Sequence, residues 1–124
     1  MRTNSRLFFL LVLACFLGTK LEASELKLPS IIGDHMVLQQ NSKANIWGWA
    51  APGEKLEVST SWDGEKYKTK ANKNGEWLVE LTTSAAGGPY TISIEADVTR
   101  VLENIMLGEV WVCSGQSNME WQLR

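Results

Sequence analysis

Cysteine and histidine are nearly absent: the 124 residues hold Cys15, Cys113 and a single histidine, His35. Basic charge is not in excess either, with 12 Lys and Arg against 14 Asp and Glu and a net charge of -2. Binding a polyanion needs a basic face, so no nucleic-acid partner is expected. No low-complexity tract occurs. No apolar run reaches the ~20 residues that a membrane-spanning helix needs, so no membrane span is expected. Between residues 26 and 108 no helical apolar period is sustained, which argues against a helical domain there. What remains is a globular composition, 44% apolar and 21% charged, in a chain long enough for one domain with a real core.

The longest apolar run, residues 7–17 (LFFLLVLACFL), follows Arg2 and Arg6 and leads into a more polar stretch ending Leu21-Glu22-Ala23. A basic start, a short apolar core and a small residue at the end make a secretory signal peptide, expected over residues 1–23. The product would be exported, to the periplasm or the extracellular space. Lipoprotein processing at Cys15 is the alternative, since Val12-Leu13-Ala14-Cys15 has a lipobox-like form. Against it, Phe16 and Leu17 continue the apolar run where a polar tether is needed. Cleavage after Ala23 leaves 9 basic against 13 acidic residues and a lone Cys113. That product can make no internal disulfide and must hold itself together by its core.

Residues 26–105 read as short strands between turn signals, the mark of an antiparallel β-sandwich. Residues 36–40 form a short apolar stretch. Asn45-Ile46-Trp47-Gly48-Trp49-Ala50 is aromatic and strand-prone, and Pro52-Gly53 ends it. Leu56, Val58, Thr60 and Trp62 fall on one face of the next strand. Asp63-Gly64 then predicts a two-residue hairpin turn into an edge strand over residues 65–71. Asn72-Lys73-Asn74-Gly75 is another turn, residues 77–81 another strand, and Ala86-Gly87-Gly88-Pro89 a loop. In residues 90–95, Tyr90, Ile92 and Ile94 alternate with Thr91, Ser93 and Glu95.

The texture changes at residues 109–114, a nearly continuous apolar run suited to a strand buried on both faces. Gly115-Gln116-Ser117-Asn118-Met119-Glu120-Trp121 follows it, so residues 106–124 read as the first strand, turn and helix start of an α/β domain that continues beyond Arg124. A serine at such a turn stands at the carboxyl end of a sheet, where ligand crevices form. The free N–H groups of the new helix, with its dipole, favour an oxyanion beside the hydroxyl. Ser117 is therefore the candidate nucleophile, its own N–H a candidate oxyanion donor. Gly115 lets the backbone turn tightly. The pattern is not the G-x-S-x-G elbow of the α/β-hydrolases, because Met119 stands where the second glycine belongs.

Residues 109–119 closely resemble the nucleophile block of the sialate O-acetylesterases, a branch of the SGNH/GDSL hydrolase superfamily. Asp34-His35-Met36-Val37-Leu38-Gln39-Gln40, with Trp47-Gly48 and Pro52-Gly53 downstream, resembles the N-terminal β domain of the same family. The resemblance implies that Ser117 attacks the acetyl carbonyl of an O-acetylated sugar, typically sialic acid. It implies no metal and no organic cofactor. The family's glycine and asparagine oxyanion donors, and its Asp-x-x-His pair, have no counterpart in these residues. His35 adjoins Asp34 directly and belongs to the N-terminal match, so it reads as a turn or surface histidine and not as the base. The 124 residues alone are then expected to be inactive.

The remaining candidates have plainer readings. Trp47 and Trp49 share a strand face and suggest a sugar platform, although filling a small core is the reading preferred. Trp111 and Cys113 read as buried in the strand. Trp121 is open between lining a pocket and packing under the sheet, and Asn118 suits a helix cap. Lys66, Lys68, Lys70 and Lys73 read as protection of an edge strand. Two further functions stay open: a non-catalytic carbohydrate-binding β-sandwich, and an esterase acting on acetylated xylan. The oligomeric state and the substrate-binding residues are not legible.

Overall fold

The computed structural model describes residues 25–115, so the expected leader and everything from Gln116 onward lie outside the described residues. Every regular element among the described residues is a strand: β1 Val37–Gln39, β2 Lys43–Trp49, β3 Lys55–Thr60, β4 Lys66–Lys70, β5 Glu76–Thr82, β6 Gly87–Glu95 and β7 Thr99–Gly108. The mainly β expectation therefore holds for this part of the chain.

Alternation makes the inner strands. In β5, Trp77, Val79 and Leu81 point inward while Glu76, Leu78, Glu80 and Thr82 face out. In β3, Leu56, Val58 and Thr60 are buried in the same way. Such period-two burial is what a strand with one wet face requires. β2 pairs antiparallel with β5 across its whole length. The other five strands form a second sheet in the order β1-β7-β6-β3-β4. Neither sheet has its own core. Ile46, Trp77, Val79 and Leu81 of the two-stranded sheet share one buried cluster with Leu56, Val58, Ile92, Ile94, Leu102 and Ile105 of the five-stranded one. Each fully buried aliphatic side chain contributes about 1.5–3 kcal/mol, and a two-stranded ribbon alone would be marginal. The sheets are also stitched by polar contacts from β4 and the loop before it. Thr69 Oγ1 donates to Leu78 O (2.9 Å), Thr82 N donates to Tyr67 Oη (3.1 Å), and Trp62 Nε1 donates to Thr82 O (3.0 Å).

Four local expectations are corrected. The larger sheet is not wholly antiparallel, because β1 runs parallel to β7 with Val37 opposite Met106 and Gln39 opposite Gly108. The β3–β4 connection is a four-residue loop rather than a two-residue turn: Thr60 N bonds Glu65 O, Gly64 N bonds Thr60 O, and only Gly64 takes a positive φ. Asp63 serves there as an acceptor for Thr60 Oγ1 and Glu65 N. Gly87-Gly88-Pro89, expected as loop, is the start of β6, where Gly87 lies opposite Leu107. Residues 109–115 form no strand and are exposed, Trp111 at 81% and Cys113 included. An apolar run becomes a buried strand only when neighbours pair with it, and no strand among the described residues does.

Candidate functional site

The site-bearing stretch begins at β7. Between Leu102 and Ile105 this strand carries one more residue than β6 does between Ile92 and Tyr90, so a bulge falls at Glu103-Asn104. A bulge leaves backbone groups out of register and bends the strand. Here the turn before β1 takes them up. Glu103 N donates to Asp34 Oδ1 (2.9 Å), His35 N donates to Glu103 O (3.0 Å), and His35 Nδ1 lies 2.7 Å from Asn104 Nδ2. His35 and Asn104 both adopt positive φ, 66° and 55°. Asp34-His35 is thus occupied with β7, and His35 sits exposed in a turn.

At the far end of β1 the two segments singled out in the sequence meet. Gln40 N donates to Gly108 O (2.8 Å), the last backbone link between them. Side chains then take over. Gln39 Nε2 donates to Glu109 Oε2 (3.0 Å) and Gln40 Nε2 to Glu109 Oε1 (2.7 Å), while Val110 N donates to Gln39 Oε1 (2.8 Å). The Gln39 amide first, then that of Gln40, holds the Glu109 carboxyl below its ordinary pKa, against a small opposing effect of burial. Gln40 is fixed at its other atom as well, since Ala86 N donates to its Oε1 (2.8 Å). The Gln39 carbonyl accepts from the buried Thr83 hydroxyl (2.6 Å). Two motifs about 70 residues apart in sequence are therefore one hydrogen-bonded unit.

Ser117, the candidate nucleophile, lies outside the described residues, as do Asn118, Met119 and Trp121. The described chain reaches Gly115, exposed and without regular structure.

The expectation that Trp47 and Trp49 fill the core needs revising for Trp49, while Trp47 packs partly buried against the core cluster. Both lie on the outer side of β2, opposite the buried Ile46 and Gly48; Trp47 is half-buried and Trp49 is 42% exposed. The tryptophan in the core is Trp77, at 3% exposure. Trp49 borders an open cleft of about 520 Å³ with Lys27, Pro29, Ile32 and Arg100. Two bonds between Lys27 and Trp49 backbones (2.9 Å each) hold the N-terminal segment along this edge. Arg100 is the second residue of β7 and Gly108 closes the strand, so the cleft and the Gln39–Glu109 unit lie near opposite ends of it, roughly 25 Å apart by strand rise. No sequence signal tied Gln39 and Gln40 to Glu109, or Arg100 to Trp49; both pairings depend on register. Lys66, Lys68 and Lys70 fit their expected place on an edge strand, whereas Lys73 lies in the turn that follows it. β4 is the outermost strand of its sheet, and Lys66 and Lys68 reach Glu57 of β3 at 2.6 and 3.8 Å.

No family model matches the sequence. Over 104 residues the chain is 33% identical to the sialate O-acetylesterase of Mus musculus, a match covering 76% of this chain and 19% of that protein. Identity to the sialate O-acetylesterase of Homo sapiens is 30% over 104 residues, covering 76% and 20%. A solved structure of a carbohydrate acetylesterase from Xanthomonas citri aligns with a TM-score of 0.70 and 37% identity, covering 78% of this chain and 22% of that one. The chain thus spans only about a fifth of the length of the relatives it matches.

Proposed function

Since the chain is similar to the sialate O-acetylesterases over 76% of its length, we propose that it is the β domain and nucleophile-bearing stretch of an exported carbohydrate esterase that removes O-acetyl groups from sialic acids. The reading is carried by that similarity together with the acetylesterase structure aligned at 37% identity. The β scaffold of residues 26–105 acts as a sandwich, and residues 106–124 open the α/β catalytic domain. The Ser117 hydroxyl adds to the acetyl carbonyl, the sugar alkoxide leaves with a proton, and an acetyl-enzyme remains. Water then releases acetate and returns the proton to Ser117. The Ser117 N–H steadies the oxyanion in both steps. The base comes from outside these residues, because the one imidazole, His35, is tied to β7 through Glu103 and Asn104. Residues 1–23 direct export and leave before the protein folds.

The test is acetate release by the natural gene product from O-acetylated sialic acid and from acetylated xylan, beside Ser117→Ala. Activity on the sialic acid, lost on substitution and absent from the 124-residue chain, is expected. Activity on xylan alone would move the substrate to plant polysaccharide. No activity on either, with no phosphonate adduct at Ser117, refutes the esterase reading. The exposure of Trp49 beside a cleft favours one second reading, glycan binding by the β domain itself. Quenching of tryptophan fluorescence by sialylated or plant glycans, lost in Trp49→Ala, would support it; a flat titration would remove it.

A further inference from the structure

Backbone pairing between β1 and β7 stops at Gln39 and Gly108. The chain nevertheless stays attached for two residues more, through side chains alone. The Glu109 carboxylate has an amide donor on each oxygen, and the Val110 N–H has the Gln39 side-chain oxygen, Oε1, as acceptor. The Gln39 backbone carbonyl is held by Thr83 and the Gln40 side-chain oxygen by Ala86, both in the segment that joins β5 to β6. Beyond Val110 nothing among the described residues grips the chain through Gly115, and Trp111 and Val112 are 81% and 91% exposed. We infer that Gln39, Gln40 and Glu109 form a clamp that fixes the direction in which the chain leaves the β domain, making them positioning residues for the segment that carries Ser117. The inference builds on the proposed role of Ser117, but the clamp itself is a matter of hydrogen bonding and is testable without any activity.

An acceptor fixed at both ends is required for the Val110 amide to be protected, because that residue is otherwise exposed. Two substitutions alter the bonds while keeping side-chain length: Gln39→Met removes those of the Gln39 side chain to Glu109 and Val110, and Glu109→Gln turns one of the two acceptor oxygens into a donor. In the 124-residue chain, hydrogen exchange followed by NMR should show Val110 N–H protected. In Gln39→Met it should exchange about tenfold faster. Leu102 and Ile105 amides in β7, and the melting temperature, should not change. A Val110 amide that exchanges at the free-peptide rate in the parent chain, or as slowly in Gln39→Met, overturns the clamp. The positioning role is read separately in the natural gene product. There Gln39→Met and Glu109→Gln should lower kcat roughly ten- to hundredfold with KM unchanged, as misplacement of a reacting group does. Unchanged kcat in both variants overturns the positioning role. A parent gene product without esterase activity sinks the proposed function instead, and the exchange data then decide the clamp on their own.

Discussion

At Glu109 two neutral amides do the work that a cation does in an ion pair. The Gln39 and Gln40 N–H groups favour the charged carboxylate, which is why its folded pKa lies below the ordinary value of 4.5. The sign of the linkage follows. The stabilising contribution is fully present above the unfolded pKa and is lost as pH falls through the lowered folded value. An NMR titration of the Glu109 carboxyl should therefore fall below 4.5, and Gln39→Met should raise it. A titration at the free-glutamate value in the parent chain would contradict the bonding. A second contrast at this scale concerns two turn glycines of similar φ, Gly64 at 72° and Gly75 at 81°. A Cβ at Gly64 meets nothing within 4 Å, whereas at Gly75 it would stand 2.5 Å from Ala50 O. Gly64→Ala should cost only the left-handed strain, about 1 kcal/mol. Gly75→Ala adds a backbone clash and should cost about 2–3 kcal/mol. Equal losses in urea denaturation would show that the Ala50 contact does not matter.

Elements were legible where the apolar period was unbroken. In β3 the expected face of Leu56, Val58 and Thr60 is the buried one, whereas in β5 the apolar Leu78 interrupts the pattern and only the structure shows it facing out while Trp77, Val79 and Leu81 face in. β7 does not keep the period: its buried residues are Leu102, Ile105 and Leu107, and the step of three between the first two breaks the parity on which strand reading depends. The cause is the bulge at Glu103-Asn104, and its bonds come from Asp34-His35, about 70 residues away in sequence. Nothing local could announce that. The start of β6 was hidden for another reason, since Gly87-Gly88-Pro89 carries no apolar pattern while its backbone pairs. Trp49 was misassigned because period alone does not say which side of β2 faces in; Trp47, on the same side, still packs partly buried against the core cluster. The candidate site divides in the same way. Ser117 and the Asp34–Gln40 segment were legible as motifs, but the bonds that join Gln39 and Gln40 to Glu109 were not. The bulge carries its own prediction. Asp34→Ala removes the acceptor of Glu103 N–H at an exposed position and should cost about 1 kcal/mol. Faster exchange should be confined to Glu103. Loss spread evenly over β7 would mean that Asp34 does more than serve the bulge.

Taken as one body, the described chain is well closed at one edge and open at the other. β4 ends the larger sheet with Lys66, Lys68 and Lys70, charges that discourage another strand from adding there. At the β1–β7 end the surface is apolar instead. Val37 is 50% exposed and its register partner Met106 37%, and Val110, Trp111 and Val112 follow at 46%, 81% and 91%. Apolar groups gathered in this way mark a surface that something covers. For the 124-residue chain on its own the available cover is another copy. Weight-average sedimentation coefficients should therefore rise with concentration, and Trp111→Ser with Val112→Ser should suppress the rise. Neither residue belongs to the buried core, so the double variant should keep its stability within about 0.5 kcal/mol. That separation matters, because association driven by a loosened fold would be accompanied by a lower melting temperature. A monomer at every concentration, or association unchanged in the double variant, would place the contact elsewhere than on residues 110–112.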